Sequence, residues 1–212
     1  RSGLYRYHGD GSADYEVISE GKVFYDISQD ADGVMWLMSS EGLVSYDPAT
    51  CRMLDVSMTS EILSAENWVN CFEISDNNDF WWNENGSIYV RSAITKEKVL
   101  AGVCEGGVCD LHIKNGIVHV LTEKGTIYRF SLDSTGIVIE LPPLRIHEHE
   151  VDYDHGFQHM FVDSSQSIWV SQGAYGVWLC RNGGKDILHL YHGQSDNSIQ
   201  RGYINSIIED TD

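Results

Sequence analysis

Residues 24–48 read FYDISQDADGVMWLMSSEGLVSYDP, and this stretch decides the fold. Phe24–Ser28 alternates as a strand does, Asp30-Ala-Asp-Gly33 makes a polar turn, and a second strand is centred on Trp36. Glu41-Gly42 then opens a third strand, Leu43–Tyr46, which stops at Asp47-Pro48. Short runs of β-branched and aromatic residues, punctuated by Gly, Asn and Asp, predict strands joined by tight turns.

Outward from this unit, the chain repeats it. The first strand recurs as Phe24–Ser28, Cys71–Ser75, Val108–Ile113, Phe157–Val162 and Tyr203–Ile208, with starts 47, 37, 49 and 46 residues apart. Each runs into a polar turn, of which Asn115-Gly116 is the plainest, because both positions tolerate positive φ. An aromatic ring follows in the second strand, at Trp36, Trp82, His119 and Trp169, where it would fill the wedge between stacked sheets. Trp81 then points to the other face of its strand. A glycine opens each third strand, at Gly42, Gly86, Gly125 and Gly176, and Gly3–Tyr7 reads as one more. The fourth strands, Tyr15–Ile18, Arg52–Val56, Lys98–Ala101, Ile137–Leu141 and Ile187–Tyr191, are less patterned, which suits solvent-facing edges.

Four antiparallel strands in about 45 residues make the blade of a β-propeller. The predicted fold is therefore all-β, with complete blades at about 24–57, 71–101, 108–141 and 157–192. A partial blade occupies 1–19 and another begins at 203–212, as in a fragment of a larger propeller. Four blades lie at the lower limit of the fold, which favours that reading.

Composition limits the partners. A formal charge of -18 excludes a nucleic-acid backbone, whose binding depends on Lys and Arg displacing counterions, and it disfavours anionic membrane surfaces. Hydrophobic content of 42% with 22% charged residues is that of a globular domain, and no apolar run nears the roughly 20 residues of a membrane helix. The first ten residues lack the apolar core of a signal peptide, so any targeting segment is expected outside this chain. The five cysteines are too scattered for a disulfide framework. The Cys104–Cys109 spacing permits a small-loop bridge, and buried free thiols are the simpler reading.

Three segments carry a family resemblance: DISQDADGVMWLMSSEGLVSYDP (26–48), MFVDSSQSIWVSQGAYGVWLC (160–180) and YINSIIEDTD (203–212). They resemble the two-component regulator propeller repeat, whose consensus reads like V-x-S-I-x-x-D-x-x-G-x-L-W-x-G-T-x-x-G-L-x-R-Y-D. The third unit departs from it, with His119 for Trp and a shortened turn. The resemblance implies the periplasmic sensor region of a hybrid two-component system of gut Bacteroidetes, responding to breakdown products of polysaccharides. Its expected partners are an oligosaccharide and the rest of the same sensor chain, with a homodimer open as an alternative. The resemblance implies that it would touch the membrane only through segments outside this chain.

The residues themselves show no catalytic signature: no G-x-S-x-G elbow, Walker loop, dinucleotide fingerprint or H-E-x-x-H. No enzyme activity and no cofactor are expected of this segment. Asp30-Ala-Asp32-Gly33 looks like the start of a calcium loop but lacks the later bidentate Glu and the flanking helices, so it reads as a turn. His147, His149, Asp152, Asp154 and His155 could gather a divalent ion, yet no zinc spacing is met, and a solvated loop between blades is the better account. Sugars are held by aromatic faces and planar hydrogen-bonding groups, so the inter-blade and second-to-third-strand loops nominate Trp68, Tyr153, Gln172, Tyr175 and Arg201 as ligand contacts. A protein-binding scaffold and a polysaccharide-degrading propeller are the alternatives, because fold alone does not fix function.

Overall fold

A computed structural model of the chain describes residues 3–7, 14–39, 42–54, 71–146, 156–191, 198, 204 and 207–209. Within them the chain forms antiparallel strands and two short 3-10 turns. The first hairpin pairs β1 (Gly3–Tyr7) with β2 (Tyr15–Glu20). A first blade follows, in the order β3 (Phe24–Gln29), β4 (Met35–Ser39), β5 (Gly42–Asp47), β6 (Arg52–Leu54). The second is β7 (Phe72–Ile74), β8 (Phe80–Glu84), β9 (Ser87–Arg91) and β10 (Lys98–Val103). The third is β11 (Val108–Lys114), β12 (Ile117–Thr122), β13 (Thr126–Leu132) and β14 (Val138–Arg145). The fourth is β15 (His159–Val162), β16 (Ile168–Ser171), β17 (Val177–Arg181) and β18 (Asp186–Leu190). The strand at Tyr203–Ile208 expected from the sequence falls largely outside the described residues.

Each blade is a meander, so its strand order in space is its order in sequence. The first strands β3, β7, β11 and β15 touch one another in succession, which sets them innermost. Fourth strands lie at the rim, where β14 tolerates Pro142 and Pro143, and Arg129 donates from Nε and Nη2 to the Pro142 carbonyl at 3.0 and 2.7 Å. The turns behave as their residues require. Asn115 and Gly116 have φ of 52° and 74°, and Asn85 and Gly86 have 52° and 81°, the left-handed pair of a two-residue hairpin.

Strand alternation sorts side chains between the two faces of a blade. Ile27, Gln29, Met35 and Leu37 look back from the first blade, since Ile27 pairs with Leu37 and Gln29 with Met35. Phe72, Ile74, Phe80 and Trp82 do so in the second, Leu111, Ile113, Val118 and Val120 in the third, and Met160, Val162, Ile168 and Val170 in the fourth. Three apolar clusters fill the gaps: Met38 and Leu43 against Phe72, Phe80 and Trp82; Trp81, Ile88 and Val90 with Leu111, Val118 and Val120; and Leu121 and Ile127 against Met160, Ile168 and Val170.

The second-strand ring expected at Trp82 belongs one residue earlier. Trp36 pairs with Ser28, Trp169 with Phe161 and His119 with His112, and the residue in that register in the second blade is Trp81, which pairs with Glu73. A slip of one residue moves a side chain to the other face. Trp81 therefore packs forward against the third blade, and Trp82 packs back, 5.7 Å from the ring of Phe80. Both rings are fully buried in the gaps between blades, as the packing role required.

The Asp30 turn is a scaffold element. One carboxylate oxygen accepts from the amides of Asp32 and Val34 at 3.0 and 2.9 Å, and the other from the Trp36 indole at 2.7 Å. Asp163 repeats the arrangement with Ser165, Ser167 and Trp169, at 2.9, 2.8 and 2.8 Å. Cys104 and Cys109 are free thiols, as are Cys51, Cys71 and Cys180.

Candidate functional site

The innermost strands surround an axial channel of about 780 Å³, within the range of roughly 300–1,000 Å³ usual for small-molecule sites. Asp26, Glu73, Asp110 and His112 line it, with Gln29, Asn77, Lys114 and Asn115 toward the first-to-second-strand turns. The acids sit at the places in their strands that alternate with, or adjoin, the buried apolar set, so they face sideways and inward rather than into the core.

Each acid reaches across to the next blade. Asp26 Oδ2 accepts from the Phe72 amide at 3.0 Å, Glu73 Oε2 from Ile113 at 2.5 Å, and Asp110 Oδ2 from Met160 at 2.6 Å. Ser28 Oγ does the same for Ile74 at 3.2 Å. The inner strand of a blade is a sheet edge, and these side chains satisfy amides that would otherwise face the channel unpaired. Asp26 and Asp110 also accept from the amides that follow them, of Ile27 and Leu111, at 2.8 and 2.9 Å.

Burial sets the electrostatics. Desolvation pushes Glu73 up to about 8 and Asp110 up to about 7, against the hydrogen bonds from Ile113 and Met160 and with the charges of neighbouring acids adding to the rise. Asp26 is raised for the same first reason. Burial also lowers His112, helped by Lys114, so the 3.6 Å approach of its Nδ1 to Glu73 Oε1 joins two groups that both favour the neutral form near pH 7. His119, buried one strand outward, is pushed down to about 4, chiefly by desolvation. Among the described residues no three His, Cys, Asp or Glu side chains converge to hold a metal ion. The segment 147–155, with the expected His and Asp cluster, lies outside the described residues.

At the other end of the strands lie the second-to-third-strand connections. That of the fourth blade is the longest, five residues from Gln172 to Gly176, where the first and second blades use two. Gly173–Tyr175 forms a 3-10 turn, and Gly176 follows at φ 109°, where a Cβ would stand 2.1 Å from the Leu190 carbonyl oxygen. Only glycine lets this turn lie so close over β18.

The turn brings together two of the expected ligand residues. Gln172 is buried, and its Oε1 accepts from the Trp178 indole at 2.9 Å. Tyr175 is 49% exposed, and its carbonyl oxygen lies 2.9 Å from His189 Nε2. His189 stacks on Trp178, centroids 3.9 Å apart and 6° from parallel, and Tyr191 lies 5.3 Å further on. Phe157 touches the inner edge of Trp178. A row of rings thus runs from the core, at Phe157, to solvent, at Tyr191. Trp68, Tyr153 and Arg201 lie outside the described residues.

In the second blade, Glu84 is buried at the same rim. It accepts from Lys98 Nζ at 2.9 Å and from the Trp82 indole at 3.3 Å, while the ammonium sits 4.3 Å from the Tyr89 ring centre. Sequence reasoning passed over the channel acids and over His189 and Tyr191. The signal for the acids was a charge inside an otherwise apolar first strand. His189 and Tyr191 carried none, because their fourth strand has no pattern of its own.

No family model and no curated protein matches the chain. Its fold is similar to solved structures. One is described as the extracellular domain of a one component system of B. thetaiotaomicron, at 16% identity and TM-score 0.61, covering 100% of this chain and 26% of that one. Another, described as the extracellular domain of a hybrid two component system of the same species, has 14% identity and TM-score 0.60, covering 98% and 26%. A gluconolactonase from Xanthomonas campestris has 14% identity and TM-score 0.60, covering 90% and 69%. The expected likeness to sensor regions is thus found at the level of the fold, and the chain spans about a quarter of the length of those two extracellular domains.

Proposed function

We propose that this chain is an extracytoplasmic, ligand-sensing propeller segment of a two-component signal-transduction sensor, and that it responds to an oligosaccharide. The observation that carries the reading is the likeness of fold, over the whole chain, to extracellular domains of such systems. The charge of -18 supports a neutral ligand over an anionic one. The fourth-blade turn supplies the contact surface: Tyr175 and Tyr191 are exposed, the Tyr175 carbonyl and the Tyr191 ring both adjoin His189, and an exposed tyrosine ring can lie against the apolar face of a pyranose. Gln172 acts behind them, holding Trp178 under the imidazole. Trp68, Tyr153 and Arg201 are assigned to the same ligand. No group in this segment performs catalysis, and a kinase elsewhere in the polypeptide reads a preference of the ligand for one arrangement of domains.

Calorimetric titration with neutral gluco-, manno-, xylo- and galacto-oligosaccharides tests the reading. One series is expected to bind, and Tyr175→Ala is expected to weaken it roughly three- to tenfold, the worth of one aromatic contact. Absence of binding across the panel overturns the sugar assignment, and turnover of a bound fragment overturns the sensor in favour of an enzyme. A lactone hydrolase is the second activity to assay, because one structural neighbour is a gluconolactonase and the channel is lined by carboxylates.

A further inference from the structure

The five thiols divide by position. Cys71, Cys104, Cys109 and Cys180 lie within or against the apolar clusters between blades. Only Cys51 is exposed, in the turn that joins β5 to β6.

That turn is held in one shape. Asp47 Oδ1 accepts from the Ala49 amide at 2.8 Å and Oδ2 from the Thr50 hydroxyl at 2.7 Å, so its carboxylate is spent inside the turn. Cys51 ends the turn at φ 54°, a left-handed conformation uncommon for a residue with a side chain. Its Sγ points back over the loop, 3.8 Å from the Pro48 carbonyl oxygen.

A cation and a buried hydroxyl meet at this sulfur. Arg6, on β1, donates from Nη1 to Cys51 Sγ at 3.4 Å and to the Pro48 carbonyl at 3.2 Å. Glu16 stands opposite Arg6 on β2, yet the guanidinium reaches the turn. Tyr46 is 4% exposed, and its hydroxyl, buried with no hydrogen-bond partner in range, faces Arg6 and Cys51. A buried hydroxyl left unpaired is costly, and an anionic sulfur beside it would relieve that cost. The thiolate is the nucleophilic form of cysteine, and exposed sites beside a cation are where it reacts.

We infer that Cys51 is a modification site, which takes up a small thiol by exchange with a low-molecular-weight disulfide. The Cys51 thiolate attacks one sulfur of the disulfide. A bond forms between Sγ and that sulfur, the original S–S bond breaks, and the departing thiolate takes up the proton that Cys51 released. The disulfide itself is the oxidant. Arg6 and Tyr46 hold the charge on Sγ before the attack. Outside the cytoplasmic membrane such a bond persists, whereas cytosolic thiols would reduce it. The inference rests on the extracytoplasmic reading for that compartment alone, and not on the sugar. A second copy is a poor partner for the thiol, since two chains of charge -18 repel.

Glutathione disulfide, added to the protein as the cell makes it, tests this, with adducts located by mass on proteolytic peptides. Cys51 is expected to be modified at least about fivefold faster than Ile139→Cys, a rim position 44% exposed, placed in a Cys51→Ser background. Arg6→Gln is expected to remove most of that advantage. Tyr46→Phe keeps the ring and its packing, and is expected to remove about half of it. Equal rates at positions 51 and 139 overturn the inference, and so does an advantage that neither substitution reduces. A disulfide-linked dimer in place of the small adduct overturns it as well, by making a second copy the partner.

Discussion

The acids of this chain divide by what they accept. Asp163 is a turn residue whose carboxylate holds two amides and an indole. Asp163→Ala leaves those donors to water and is expected to cost about 1–3 kcal/mol, read as a lower urea midpoint with an unchanged slope. Glu73 and Asp110 are inter-blade residues with a different signature. Their folded values, about 8 and about 7, lie above the ordinary carboxylate range, so the folded state keeps protons that the unfolded state has already released. Stability then falls as pH rises toward and through those values. His119 acts in the opposite sense, since its value near 4 lies below the ordinary 6.5 and its contribution is lost as pH falls from 6.5 toward 4. Between about pH 7 and 8 the carboxylates dominate, the imidazoles being neutral and the thiols protonated in both states, and the thermal midpoint is expected to decline. Glu73→Gln keeps an acceptor for the Ile113 amide and should flatten much of that decline; an unchanged slope would show that Glu73 is not its source.

Among elements, the tight turns were legible because residue type alone dictates them. Asn-Gly pairs fixed two hairpins, and the glycines that open the third strands of the third and fourth blades, Gly125 and Gly176, make close approaches that only glycine permits. Gly125 has φ 76° and the Phe157 ring 2.4 Å from where a Cβ would stand. Gly125→Ala is expected to cost about 1–3 kcal/mol, measured by chemical denaturation, because Phe157 is held between Gly125 and Trp178 and has little room to move. The register of β8 was not legible. Two adjacent tryptophans satisfy the same sequence pattern, and only pairing with Glu73 and Phe72 assigns Trp81 forward and Trp82 back. Truncation of either to Ala should cost about 3–5 kcal/mol, and the half-buried Trp169 less, as unfolding free energies would report.

At the scale of the molecule, stability resides in the gaps between blades, and the cysteines report on them. Burial raises Cys104 to about 12 and Cys180 to about 11, and lifts Cys71 and Cys109 well above the ordinary thiol range, so their thiolates are scarce in the folded state. Cys51 is exposed. A thiol reagent at pH 8 is expected to modify one cysteine in the native protein and five after unfolding, as counted by intact mass; rapid reaction at several sites would mean that the blades separate readily.

The sequence by itself determined the strands, the turns and the repeat that stacks them, because local backbone preference and two-residue alternation act within a few residues. Its charge of -18 also argues against a nucleic-acid backbone as partner, since net charge is additive and needs no coordinates. The tertiary structure alone decided which acids meet the next blade, which tryptophan faces which neighbour, and that the Tyr175 carbonyl and the Tyr191 ring both adjoin His189. Those facts join residues from different strands and blades, and the distance between them depends on register and packing, which no single segment encodes.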